Sequence, residues 1–181
     1  MKKINPIKSS FVKNKVVAKG EEFEEAEKLY NRGRFGEIYG TKDRRIEFPL
    51  VEALYLLEKD KLEIYSNKSK LNFDKFVKKA IRVEKEFLKR YYVYKDLRDI
   101  GYILKTALKF GADFRVYDKG TKPGDKHAKW ILFCVSESDR FSWRDFAAKT
   151  RVAHSTKKKL LIGCVDEEND VTYWEIGWKR P

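Results

Sequence analysis

A chain of 181 residues is long enough for one domain or two small ones, and either can build a hydrophobic core. Its 41 Lys and Arg against 28 Asp and Glu leave a net charge of +13, which implies an anionic partner, nucleic acid first; a lysine coat serving solubility alone is the plain alternative. No stretch of about 18 apolar residues is present, and Met1-Lys2-Lys3-Ile4-Asn5-Pro6 leads into polar sequence instead of a signal core, so neither a membrane span nor a secreted protein is expected but a cytoplasmic one. A charged fraction of 38%, a single Met and the lack of Gln favour a thermophilic source. Cys134 and Cys164 fall inside apolar runs and read as buried strand residues in a reducing compartment. With two Cys, two His and no close ligand spacing, neither a metal nor another cofactor is expected.

From the amino terminus, Glu21–Arg32 carries Phe23, Ala26, Leu29 and Tyr30 on one face and reads as a helix. Leu50–Lys59, with Leu50, Ala53, Leu54 and Leu57, reads as a second, and Pro49 suits its start. The alternating Leu62-Glu63-Ile64-Tyr65 is a strand, and Phe73, Phe76, Val77 and Ala80 mark a third helix. Charged helices therefore dominate as far as about residue 83. Residues 1–84, which lack clustered catalytic residue types, are expected to form a small mixed helix–strand domain with a structural or RNA-contacting role.

The rhythm then changes. A helix from about Phe87 to Ile100 stops at Gly101, where a left-handed cap suits glycine. Strands follow at Tyr102–Lys105, Phe114–Tyr117, His127–Val135, Leu160–Val165 and Val171–Trp178. Between the third and fourth lies a helix with strong start signals, a capping box of Ser142 and Asp145 and a hydrophobic staple of Phe141 and Phe146. The fold class is α/β (α+β): after the first domain, residues 85–181 form an α/β domain with a central mixed sheet flanked by helices, and the boundary lies near residues 82–88.

Alternation in Asp113-Phe114-Arg115-Val116-Tyr117 puts Phe114 and Val116 on one face and Arg115 beside Tyr117 on the other. A polar loop with Gly and Pro, Asp118–Lys126, then returns the chain to His127, and loop-flanked strand ends are where a fold presents side chains to a ligand. Taken singly, a strand tyrosine, a histidine or a lysine run before an apolar strand is an ordinary structural feature. Together Tyr117, His127 and the run Lys157-Lys158-Lys159 supply a base, an acid and a cation, which suffice to cleave a phosphodiester by its own 2′-hydroxyl without a metal. Arg151 suits stacking on a splayed base or pinning a phosphate, or else pairs with Asp145 or Glu168; His154 is the other histidine available as an acid.

These residues resemble the archaeal tRNA-splicing endonucleases, or tRNA-intron endonucleases. The likeness runs from Gly33-Arg34-Phe35-Gly36 and Leu50-Val51-Glu52-Ala53-Leu54-Tyr55-Leu56 through Tyr94-Lys95-Asp96-Leu97-Arg98, and is strongest in Phe110–Tyr117 and Arg151-Val152-Ala153-His154-Ser155. The resemblance implies Tyr117, His127 and Lys158 as catalytic residues; the cations near them, Arg151, Arg115, Lys157 and Lys159, are expected against the substrate by their own chemistry. Ala128 and Lys157 depart from the family pattern, which has a small polar residue after the histidine and Arg before the lysine. The resemblance further implies cutting of precursor tRNA at bulge–helix–bulge junctions, with 2′,3′-cyclic phosphate and 5′-hydroxyl ends. It implies a tetramer, either of identical chains or with a paralogous structural subunit, in which the acidic turn Asp166–Asp170 docks on a neighbour; the aromatic last strand, Trp174 included, suits an interface. Two competing readings are a non-catalytic RNA-binding or scaffolding paralogue and a metal-dependent nuclease, the latter disfavoured because the expected acidic-x-Lys strand reads His127-Ala128-Lys129.

Overall fold

The structure is a computed structural model that describes residues 5–121, 124 and 126–179. Met1 to Ile4 of the opening stretch, and Lys122, Pro123 and Asp125 of the loop before His127, lie outside the described residues. The chain divides into two units, residues 1–91 and 92–181, each built on its own sheet. Among the described residues no helix is long and apolar enough to cross a membrane.

The first unit is the mixed helix–strand domain expected, with more strands than the single one read at Leu62–Tyr65. Six strands, β1 (Ile7–Val12), β2 (Lys15–Lys19), β3 (Glu37–Tyr39), β4 (Arg45–Pro49), β5 (Leu62–Ser66) and β6 (Ser69–Leu71), form one sheet in the order β3-β4-β2-β1-β5-β6. Only β1 and β5 run parallel. The alternation of buried and open residues along β1 and β2 buries Ile7, Ser9, Val16 and Ala18 and turns Lys8, Ser10, Lys15 and Lys19 the other way. Each strand supplies only two or three apolar side chains between lysines, so its stability comes from neighbours distant in sequence. Three helices accompany the sheet: α1 (Phe23–Gly33), α2 (Leu50–Glu58) and α3 (Phe73–Val83). α1 ends on Arg34 in the left-handed conformation, whose N–H returns to Tyr30 O at 2.8 Å. Gly36 is also left-handed, at φ +70°, and a Cβ there would lie 2.5 Å from Ile46 Cγ2, so the backbone packs where only glycine fits. Its N–H donates to the buried carboxylate of Glu52 on α2.

The second unit carries β7 (Ile103–Thr106), β8 (Phe114–Tyr117), β9 (Trp130–Ser136), β10 (Lys159–Val165) and β11 (Val171–Ile176) in the order β11-β10-β9-β8-β7. The β9–β10 pair is parallel and the others antiparallel, the mixed sheet expected, with α5 (Trp143–Ser155) as the crossover. α5 starts as its sequence predicts: Ser142 accepts from Asp145 N–H, and Asp145 reaches back to Ser142 N–H. Ala153 and Val152 of α5 pack with Ile131, Phe133, Leu160 and Ile162 on one face of the sheet. α4 (Phe87–Asp99) spans the division between the units, and its later residues serve the other face, where Tyr94 meets Phe114 and Tyr173 Oη donates to Asp96 at 2.8 Å. Beyond α4, Tyr102 N–H bonds Leu97 O and Gly101 N–H bonds Arg98 O, with Gly101 at φ +99° as the left-handed residue. Two strand limits are corrected. His127 stands three residues before β9 because the described backbone enters the ladder only at Trp130, and Trp178 lies beyond β11, which ends at Ile176.

Candidate active site

Parallel pairing of β9 with β10 and antiparallel pairing of β8 with β9 bring the end of β8, the loop into β9 and the start of β10 to one end of the sheet. Tyr117 closes β8 at that end, paired across to Ile103, and is only 6% exposed. Lys129 N–H bonds Val116 O at 2.9 Å and Lys159 N–H bonds Lys129 O at 3.1 Å, so the segment carrying His127 is stitched to the strands on either side just after the histidine.

The lysine run owes its shape to how α5 stops. Lys157 takes φ +55°, its N–H bonds His154 O, and Lys158 N–H bonds Ala153 O at 2.9 Å, the paired closure of a helix that usually has glycine in this place. The three lysines therefore part company. Lys157 is exposed on the cap, and Lys159 opens β10 and pairs at 2.5 Å with Glu175, which also accepts from Trp130 Nε1. Lys158, half-buried, donates from Nζ to Thr156 O at 2.7 Å and turns into a cleft.

That cleft, of about 260 Å³, is lined by Phe110, Arg115, Tyr117, Gly124, Lys126, His127, Ala128 and Lys158. It gathers a phenol, an imidazole and three cations, with no carboxylate among its described lining, a composition suited to an anion such as a phosphodiester. Burial first, and then the neighbouring Arg115 guanidinium, hold the Lys158 ammonium below the ordinary lysine range. Arg115 Nε is itself buried without a hydrogen-bond acceptor, while the guanidinium lies 6.0 Å from the Phe110 ring centre. A buried guanidinium nitrogen without an acceptor, on a residue that lines the cleft, suits an anionic guest.

Sequence reasoning named Tyr117, His127, Lys158 and Arg115, and the structure brings these four together. It missed Phe110 and Lys126. Phe110 ends a short helical turn closed by the left-handed Gly111, a signal present in the Phe110-Gly111 pair; Lys126 had only its position beside His127 to mark it. Arg151 is exposed on α5 outside the cleft and makes no ion pair among the described residues. His154 lies in a neighbouring cleft, with its ring centre 4.5 Å from that of Trp178. Asp166 organises the turn between β10 and β11, accepting from Glu168 and Asp170 N–H at 2.9 Å each, whereas Asp170 is exposed and Trp174 is 51% exposed on β11.

Residues 87–173 match the family described as tRNA intron endonuclease, catalytic C-terminal domain, and residues 7–77 the tRNA intron endonuclease N-terminal domain. The chain is 50% identical over 141 residues to a tRNA-splicing endonuclease of Nanoarchaeum equitans, covering 75% of this chain and 90% of that one. It is 42% identical over 162 residues to the tRNA-splicing endonuclease of Thermococcus onnurineus, covering 87% and 91%. With that of Methanothermobacter thermautotrophicus the identity is 36% over 156 residues, covering 86% and 89%.

Proposed function

Because the chain belongs to the tRNA intron endonuclease family, we propose that it is a catalytic subunit that excises introns from precursor tRNA by cutting at bulge–helix–bulge junctions. The observation that carries this reading is the meeting of Tyr117, His127 and Lys158, from three separate segments, in one cationic cleft. Unstacked bulge nucleotides let the backbone rotate until the 2′-oxygen, phosphorus and 5′-oxygen stand in line, which a continuous A-form helix prevents.

In this reading Tyr117 takes the proton of the 2′-hydroxyl as its oxygen attacks phosphorus, and His127 gives a proton to the 5′-oxygen as the P–O5′ bond breaks. The ends left are a 2′,3′-cyclic phosphate and a 5′-hydroxyl. Lys158, with Arg115 beside it, offsets the charge that grows on the non-bridging oxygens. No step is assigned to a metal, so cutting should survive EDTA. Arg151 stays in the proposal as a residue that positions bulge nucleotides, reached from the exposed side of α5. We divide the labour of the chain between a structural part, 1–84, and a catalytic part, 85–181. Two junctions need two sites, so we place the chain in a tetramer, of identical copies or with a paralogue.

A chemical substitution in the substrate tests the roles. A substrate with sulfur in place of the leaving 5′-oxygen, which departs without a proton, should largely rescue His127→Ala and leave Tyr117→Phe slow. Single losses should each slow cleavage of the ordinary substrate about 10²–10⁴-fold. Cleavage of a 2′-deoxy substrate at the same bond would mean that water attacks, and would sink the assignment.

A further inference from the structure

The positive charge of the first unit is not spread evenly. α1 and the turn before it carry Glu21, Glu22, Glu24, Glu25 and Glu27. On the open face of the sheet Lys15 and Arg45 both pair with Glu47 and Lys70 pairs with Glu63, while Lys8 and Lys19 form no ion pair among the described residues. α3 differs. Its residues Lys75, Lys78, Lys79 and Arg82 recur at spacings of three and four and therefore fall within an arc of about 100° on one side of the helix. Phe76 and Ala80 are the residues it buries. None of the four cations forms an ion pair among the described residues. Lys79 is spent in part on the fold, its ammonium 5.0 Å over the Phe11 ring, while Lys75, Lys78 and Arg82 are exposed.

From Lys75 to Arg82 the stripe runs about 10 Å along the helix axis, a length over which one strand of a duplex presents about three phosphates. Four like charges on one face, with only Asp74 on the same helix to oppose them, cost the folded protein some repulsion unless an anion meets them. We propose that this face of α3 is a second RNA-contacting surface, which holds consecutive phosphates of the substrate without reading its bases. The inference rests on the reading of the substrate as RNA. It adds a place on the first unit that bears on affinity and not on the bond being cut, since phosphate contacts position a nucleic acid and carry its salt dependence.

The test compares two variants of equal charge. One carries Lys75→Gln, Lys78→Gln and Arg82→Gln, with Lys79 kept for its packing; the other carries Lys19→Gln, Lys42→Gln and Lys61→Gln, three exposed lysines scattered over the same unit. Binding of an intron-containing precursor tRNA is followed by fluorescence anisotropy across a range of salt concentrations. The stripe variant should bind at least about tenfold more weakly at physiological salt, and its log affinity against log salt should flatten by about one per lost phosphate contact, up to about three. The scattered variant should keep the slope of the parent. Equal flattening in both variants, or none in the stripe variant, overturns the proposal. So does an unchanged slope with a smaller mass in light scattering, which would assign the stripe to an acidic protein surface. Binding decides the matter without cleavage, so a parent protein that bound but failed to cut would strike the splicing reading alone.

Discussion

Lys158 reaches the cleft because the residue before it accepts a left-handed backbone conformation that costs a side-chain-bearing residue about 1–2 kcal/mol. Lys157→Gly relieves that strain, so the variant should be as stable as the parent or up to about 1 kcal/mol more so, with cleavage intact. Lys158→Gly should lose cleavage by at least about 10²-fold. Denaturant melts beside single-turnover rates check the pair, and a Lys157 variant as slow as the Lys158 one would move the catalytic cation by a residue. Lys158 and Arg115 are coupled as like charges, and the sign follows from that. Burial and Arg115 lower the pKa of Lys158, so a reaction that needs the ammonium fades as pH rises through that lowered value. Arg115→Met removes the like charge and lets the pKa climb, so the basic limb of kcat/KM should move to higher pH, even if KM itself rises. An unmoved limb would show that Arg115 holds the substrate without tuning the lysine.

At the scale of elements, β10 is the strand most tightly specified. Gly163 lies in its middle, opposite Tyr173 and Cys134, and a Cβ there would come within 3.0 Å of Val93 and 3.2 Å of Tyr173. Gly163→Ala should therefore destabilise the second unit by about 1–3 kcal/mol in urea melts, and a neutral result would mean that Val93 and the β11 ring yield freely. This half of the fold was legible in the sequence because its signals are local. The capping box of α5 is written in Ser142 and Asp145, the stop of α4 in Gly101, and long β-branched and aromatic runs mark β9 and β10. Of the sheet of the first unit only β5 was legible, from its alternation, since Lys8-Ser9-Ser10 and Val16-Val17-Ala18 become strands only through partners elsewhere in the chain. At the site, Tyr117, His127, Lys158 and Arg115 were named from strand-end placement and family resemblance together. Phe110 enters through the turn at Gly111, which the Phe110-Gly111 pair marks as a turn but not as part of the cleft.

For the whole molecule, the proposed assembly hangs on the β10–β11 turn. Asp166 accepts two backbone N–H groups inside its own turn, so replacing it disturbs the turn as well as any neighbour; Asp170 is the cleaner probe. Asp170→Lys should lower the mass of the assembly in light scattering, and Asp166→Asn, which retains an acceptor, should lower it less. A constant mass for Asp170→Lys at several salt concentrations would take the turn out of the interface. The placement of β9 between β8 and β10 has a further consequence, in the order of events during folding. Tyr117 arrives on one flank of β9 and Lys158 on the other, while the loop that carries His127 leads into β9 itself. No subset of local hairpins can assemble the three groups, because β9 and β10 pair in parallel across the whole α5 crossover. On the proposed assignment, a nascent or half-melted chain in which β9 and β10 are unpaired lacks the complete set of groups and should not cut RNA, whatever its basic surface binds.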